Sequence, residues 1–168
     1  MSTKLQIFRA KPNPIGKDKT SSGIPKPEQL LGEWVDIKNI GTESVRFSSM
    51  KLSHTVFGRH CEETGQTETY WGPGGAQALE PEGQVRVYTG RSADRALMRP
   101  EDEAPDWEAF AERSNFVLNN ACGDGLRVTW ADNTEKRSDT AAYRSNPPEG
   151  AVLTRVGNLL VSGMAASY

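Results

Sequence analysis

Residues that hold metals or build disulfide networks are scarce in this chain: two cysteines, Cys61 and Cys122, and two histidines, His54 and His60, in 168 positions. A structural zinc site usually takes four such ligands, so the set is thin and the expectation is no metal. Two cysteines allow a single intramolecular pairing, and in a reducing compartment they are expected as free thiols. Long apolar runs are missing as well. Nothing near the N-terminus is long enough for a signal peptide and no later stretch approaches a membrane span, which sets the expectation of a cytoplasmic protein with no membrane insertion.

A large charge of one sign is also lacking. The formal net charge of -2 argues against a dedicated nucleic-acid binder, which carries a basic excess on one surface. The balance is uneven, however, because Lys4, Arg9, Lys11, Lys17, Lys19 and Lys26 face only Asp18 within residues 1–27. Lys11, Lys17, Lys19 and Lys26 therefore form a candidate basic arm for phosphates or an acidic partner, with a solvated loop as the ordinary explanation.

Signatures of catalysis are missing in turn. There is no Gly-x-Ser-x-Gly elbow, and Gly72-Pro73-Gly74-Gly75 lacks the Lys-Ser/Thr that grips phosphate. Gly123-Asp124-Gly125 has neither the alternating ligands nor the distal Glu of a calcium loop and reads as a hairpin turn. The carboxylates Glu62-Glu63 and Glu101-Asp102-Glu103 could serve acid-base chemistry, but they sit in loops with no predicted cleft. The expectation is no enzyme and no cofactor; a metal-dependent hydrolase is the third reading.

What the chain does have is turn chemistry, with 16 Gly and 10 Pro, and many short alternating segments. Leu5–Arg9 is a strand ended by Pro12 and Pro14, and residues 15–27 have little to bury and are expected as a mobile connection. Trp34–Lys38 alternates, with Val35 and Ile37 inward, and runs into the turn residues Asn39 and Gly41. Val45–Leu52 changes phase near Ser48 and Ser49, which predicts a bulge. Residues 54–78 form a first insertion, either a long loop or an extra hairpin. Gln84–Thr89 is the cleanest period-two strand.

Residues 91–115 form a second, acidic insertion. Within it Trp107, Phe110 and Ala111 give one apolar helical face, with Pro105 near the first turn. Phe116–Leu118, Leu126–Trp130 and Asp139–Tyr143 read as closing strands. The fold class is all-β, a two-sheet antiparallel sandwich over residues 1–146 with two long insertions, followed by an extension over 147–168 that packs on the domain or on a partner. Helix and strand remain open for residues 151–162.

The order of these blocks resembles the lamin-tail domain family. Ile7 to Pro14 is similar to its opening strand and Pro-rich turn, and Glu33-Trp34-Val35-Asp36-Ile37 with Asn39 and Gly41 to its strongest signature. Val45, Phe47, Ser48 and Leu52 continue that signature. Leu79, Pro81, Gly83 and Val85 resemble its Leu-x-Pro-Gly turn, and Leu118-Asn119-Asn120, Gly123-Asp124, Leu126, Asp132, Asp139 and Tyr143 its closing hairpin. Met50 stands where the family usually has Trp, Ser49 where it has Gly, and both insertions exceed the family's loops. The resemblance implies an immunoglobulin-like β-sandwich acting as an interaction or tethering module, of the stand-alone kind found in bacterial chains. The sequence has neither a coiled-coil rod nor a prenylation motif, so lamina function is not implied.

Alternation directs Trp34, Asp36, Lys38, Arg86, Tyr88, Arg127 and Thr129 away from the core. Trp, Tyr and Arg often carry binding energy, since each buries a large area and keeps a polar tip. Trp34, Asp36, Lys38, Arg86, Tyr88 and Arg127 are therefore the candidate protein-binding residues, with cover by the insertions or the C-terminal segment as the alternative. The expected partner is a protein, with nucleic acid as the rival reading.

Overall fold

The computed structural model describes residues 2–162; the last six positions of the expected 147–168 extension lie outside the described residues. The strands are β1 (Leu5–Lys11), β2 (Trp34–Asn39), β3 (Val45–Arg46), β4 (Lys51–Phe57), β5 (Glu63–Trp71), β6 (Ala78–Leu79), β7 (Gln84–Tyr88), β8 (Trp107–Phe110), β9 (Asp124–Asp132), β10 (Glu135–Tyr143), β11 (Leu153–Val156) and β12 (Leu159–Ser162). One helical turn, α1 (Pro27–Leu30), precedes β2. The chain is all-β, as its alternation requires.

Ten strands join in one curled sheet in the order β5-β4-β9-β10-β12-β11-β1-β2-β7-β8, with β3 and β6 paired separately. The halves β8-β7-β2-β1 and β5-β4-β9-β10 send their inward residues to a single core. Ile7, Val35, Ile37, Val85 and Val87 come from one half, and Leu52, Leu126, Val128 and Trp130 from the other. Each such side chain, fully removed from water, stabilises the fold by about 1.5–3 kcal/mol.

The C-terminal segment resolves as strand and is integral to the sheet. Its hairpin turns at Gly157, where φ is 62°. β11 pairs with β1 and β12 with β10, so this hairpin hydrogen-bonds the two halves together. The first insertion is a hairpin of β4 and β5, with a register shift that leaves Tyr70 without a partner on β4.

Other expectations are corrected. Trp107–Phe110 is a parallel strand beside β7 rather than a helix. Trp107 packs edge-on against Phe47, while Phe110 stacks on Tyr88 on the opposite face. Side chains pointing to opposite faces satisfy a period of two, and the open edge of β7 supplied the backbone partners that decided between the patterns. The expected bulge at Ser48 and Ser49 is a 3-10 turn over Phe47–Ser49, in which the Ser49 hydroxyl donates to the Arg46 carbonyl at 2.9 Å. Phe116–Leu118 is irregular chain, not strand. Residues 15–26 are a connection, as expected, and carry hydrogen bonds of their own before Pro27 opens α1, among them Thr20 N–H to Ile24 O and Lys26 N–H to Asp18 O, both 2.8 Å.

Cys61 and Cys122 form a disulfide, with Cα atoms 5.3 Å apart, so the expectation of free thiols is overturned. The cause is the antiparallel pairing of β4 with β9, which sets His54 opposite Leu126 and brings the tip of the first hairpin beside the loop before β9. Neither cysteine predicts the other from sequence, because 61 positions separate them.

Candidate functional site

Three places hold polar side chains in defined geometry. The first is the outer face of β2 and β7, where the binding patch was expected. Trp34, Asp36, Arg86 and Tyr88 do share this face, since Trp34 pairs with Tyr88 and Asp36 with Arg86 across the two strands. All four are buried, at 2% exposure or less, so this face is not an open surface. Met98 from the second insertion, Phe110 of β8 and Val152 of the C-terminal segment pack on Leu31, Trp34 and Tyr88.

Beneath that cover Arg86 donates to both carboxylate oxygens of Asp36, at 2.6 and 2.9 Å, and its guanidinium lies 3.7 Å from the Trp34 ring centre. Burial alone would lower the Arg86 pKa, but the hydrogen bonds and charge of Asp36 outweigh it and raise it. Arg9 adds a second cation 3.2 Å from Asp36. Charge in this position is a structural ion pair first, and removing one partner strands the other. Lys38, on the same face, is half-buried and 3.6 Å from Glu82.

Arg127 is separated from the rest because β9 belongs to the other half of the sheet. It is exposed and stands in the second place, a groove of about 410 Å³ on the outer face of β5, β4, β9, β10 and β12. Paired residues in adjacent strands share a face, and here the register runs Thr67 to Thr55, Ser53 to Arg127 to Thr140, and Gly125 to Ala142 to Leu159. Ser, Thr, Gly and Ala leave a shallow trough because none has a long side chain. The signal for it was in the sequence, in the short residues alternating with Leu52, Leu126, Val128 and Ala141, but alternation does not say which outer face stays open.

The third place is internal. Glu33, wholly buried at the start of β2, accepts hydrogen bonds from the Thr89 hydroxyl and from the Val117 N–H at 3.1 Å. Burial raises its pKa to about 7, against those hydrogen bonds and with some help from the charge of Asp124. The Glu33 Oε1 atom and the hydroxyls of Tyr70 and Tyr143 are buried without protein partners. Burial, followed by the charges of Glu33 and Asp124, pushes Tyr70 well above its ordinary value. Sequence reasoning missed this cluster entirely, since Glu33 lies one residue before β2 and Tyr70 at a register shift.

Beside it His54 is held between two carboxylates, Nδ1 3.0 Å from Asp124 and Nε2 3.2 Å from Glu68. Burial would lower its pKa; Asp124 and then Glu68 outweigh this and raise it. With both ring nitrogens engaged, His54 has no lone pair turned toward Ser53, which lies on the opposite face of β4. The two are therefore not a nucleophile and its base. The sparse zinc set is dismantled as well, because Cys61 and Cys122 bond to each other. Among the described residues no group of three or more His, Cys, Asp or Glu could hold a metal ion.

Of the basic arm, Lys11 is turned inward to Glu101 at 2.9 Å, while Lys17 and Lys19 are exposed and Lys26 is half-buried. Lys11 is thus set apart from the other three. No family model matches this chain. No curated protein matches it either. Among the described residues no helix is long and apolar enough to cross a membrane.

Proposed function

We propose that this protein is a non-enzymatic interaction or tethering module of the lamin-tail type, with an immunoglobulin-like arrangement of its sheet halves, and that it takes an extended polypeptide segment in the outer groove of β4, β9 and β10. The observation that carries this reading is the groove itself, about 410 Å³, with a floor of Ser53, Thr55, Gly125 and Ala142. Its shallow floor admits a main chain, and Leu159, 36% exposed, offers apolar contact at one side. The exposed Arg127 on the wall favours a segment with an acidic residue among apolar ones.

The disulfide bears on location, because such bridges persist in oxidising surroundings. It favours an extracytoplasmic setting over the cytoplasm.

The test is affinity capture with the intact protein beside Ala142→Arg, which fills the trough, and Arg127→Glu, which reverses its charge. Both variants are first shown to melt like the intact chain. A partner captured by the intact protein and lost with both variants supports the groove; an unchanged set of captured proteins removes it. The rival reading, phosphate contact through Lys17, Lys19 and Lys26, rests on the exposure of Lys17 and Lys19 and the partial exposure of Lys26. It predicts nucleic-acid binding that weakens steeply with salt and vanishes in the triple Gln variant.

A further inference from the structure

The cover over the β2 and β7 face is not uniform. Met98, Phe110 and Val152 close its apolar end, but its charged end is crossed by the acidic strap Pro100–Asp106. Glu101 reaches Lys11 at 2.9 Å, Glu103 pairs with Arg9, and the Glu103 carbonyl accepts a 2.9 Å hydrogen bond from Arg86. Asp106 fastens the far end by accepting from the Gln84 N–H at 2.8 Å.

Between strap and sheet lies a hollow of about 200 Å³, floored by Arg9, Trp34 and Arg86 and walled by Val152 and Thr154. Arg9 and Arg86 share the one carboxylate of Asp36, and Lys11 at the rim pairs with the strap's own Glu101, so without the strap the floor and its rim carry excess positive charge. Trp34 is 1% exposed, and its indole N–H has no acceptor among the described residues. A buried donor without a partner is costly, and an acceptor entering the hollow would remove that cost.

We infer that this hollow is a recognition site for a carboxylate-rich peptide segment, and that the chain's own Glu101–Glu103 strap occupies it in place of that partner. The strap shows the chemistry, carboxylates on Arg9 and Lys11 and a backbone carbonyl on Arg86. Its Glu103 end is the displaceable part, since Glu101 and Lys11 are mostly shielded from water. Glu103 is 65% exposed, and ion pairs open to water on one side contribute little and weaken with salt. Asp102 is exposed and pairs with no cation among the described residues, so a longer acidic segment could bring more carboxylate to the floor than the strap does. Tethering gives the strap a high effective concentration, which lowers the apparent affinity for any free competitor by the fraction of time the hollow is open. The inference stands independently of the outer groove, which lies on the other half of the sheet.

The experiment is fluorescence anisotropy with a labelled oligoglutamate peptide, and an oligolysine peptide as the charge control. Proteins compared are the intact chain, the strap-neutralised variant Glu101→Gln/Asp102→Asn/Glu103→Gln, and that variant with Arg9→Gln and Lys11→Gln added. The expected result is oligoglutamate binding tightened about tenfold by neutralising the strap, lost with added salt and abolished by the Arg9 and Lys11 changes. A folded strap-neutralised variant that binds no tighter than the intact chain overturns the inference, as does equal binding after Arg9 and Lys11 are replaced. Should the strap variant not fold, the Trp34 indole N–H resonance of the intact protein reads the same event. Movement on adding oligoglutamate supports the site, and an unmoved resonance at millimolar peptide overturns it.

Discussion

The outer faces of the two sheet halves began from the same local pattern and ended in opposite states. On β2 and β7 the outward residues are large and charged or aromatic, and insertion, β8 and C-terminal segment have closed over them until Trp34 and Arg86 are each 1% exposed. On β4, β9 and β10 the outward residues are Ser, Thr, Gly, Ala and Arg127, and that face is open as a groove. Facing away from the core is thus not the same as facing solvent. A long insertion beside a strand can convert its outer face into a second, smaller interior, and large amphipathic side chains supply the area that makes such cover worthwhile.

The contrast breaks most visibly at Asp36. Asp36→Ala leaves Arg86 buried and unpaired and is expected to cost about 3–5 kcal/mol by urea denaturation, whereas a surface patch would tolerate it. Replacing Asp36 and Arg86 together by apolar residues should cost much less, because no charge is then stranded. The open half has its own long-range tie. Reduction, or Cys61→Ser with Cys122→Ser, removes a cross-link over 61 positions and should lower stability by about 2–4 kcal/mol, read as a drop in Tm on adding reductant.

Glu33 links the halves, bonding Thr89 beyond β7 and Val117 before β9. Its folded pKa of about 7 lies above the ordinary carboxyl value near 4.5, so the native state holds the proton more tightly than the unfolded chain. Stability should therefore fall as pH rises from about 4.5 to 7 and level off above, by roughly 3 kcal/mol. His54, with its raised pKa, also loses stabilisation as pH rises through its folded value. The difference between the intact chain and Glu33→Gln in urea midpoints across that range isolates Glu33, and the Gln variant should show the flatter profile. The smallest effect belongs to the open face, where Arg127→Ala should change the urea midpoint by an amount equivalent to under about 0.5 kcal/mol.

Much of the fold was legible because strand alternation is a local property. Val35 and Ile37, Val85 and Val87, and Leu126, Val128 and Trp130 all point inward as their spacing demands. The turn at residues 80–83 follows Pro81, which fixes φ, although its positive φ of 72° falls on Glu82 and not on Gly83; the hairpin turn at Asn133, φ 57°, falls on a residue that tolerates that conformation. Trp107–Phe110 was misread because four residues fit two periods and only the free edge of β7 chose between them. Of the candidate contacts, spacing correctly grouped Trp34, Asp36, Arg86 and Tyr88 on one face. Cover by the insertions or the C-terminal segment stood as the alternative, which spacing could not decide, and spacing could not show that Arg127 belongs to a different face.

The sequence by itself determined that this chain is all-β, which side of each main strand meets the core, and where most turns fall. Those features depend on a backbone period of two and on residues a few positions apart. Only the tertiary structure decided that the C-terminal hairpin joins the two halves, that Cys61 meets Cys122, that Glu33 is buried at their junction, and which outer face stays open. Each of these depends on contacts between segments tens of residues apart, whose meeting is set by packing of the whole chain and leaves no mark in the local pattern of either segment.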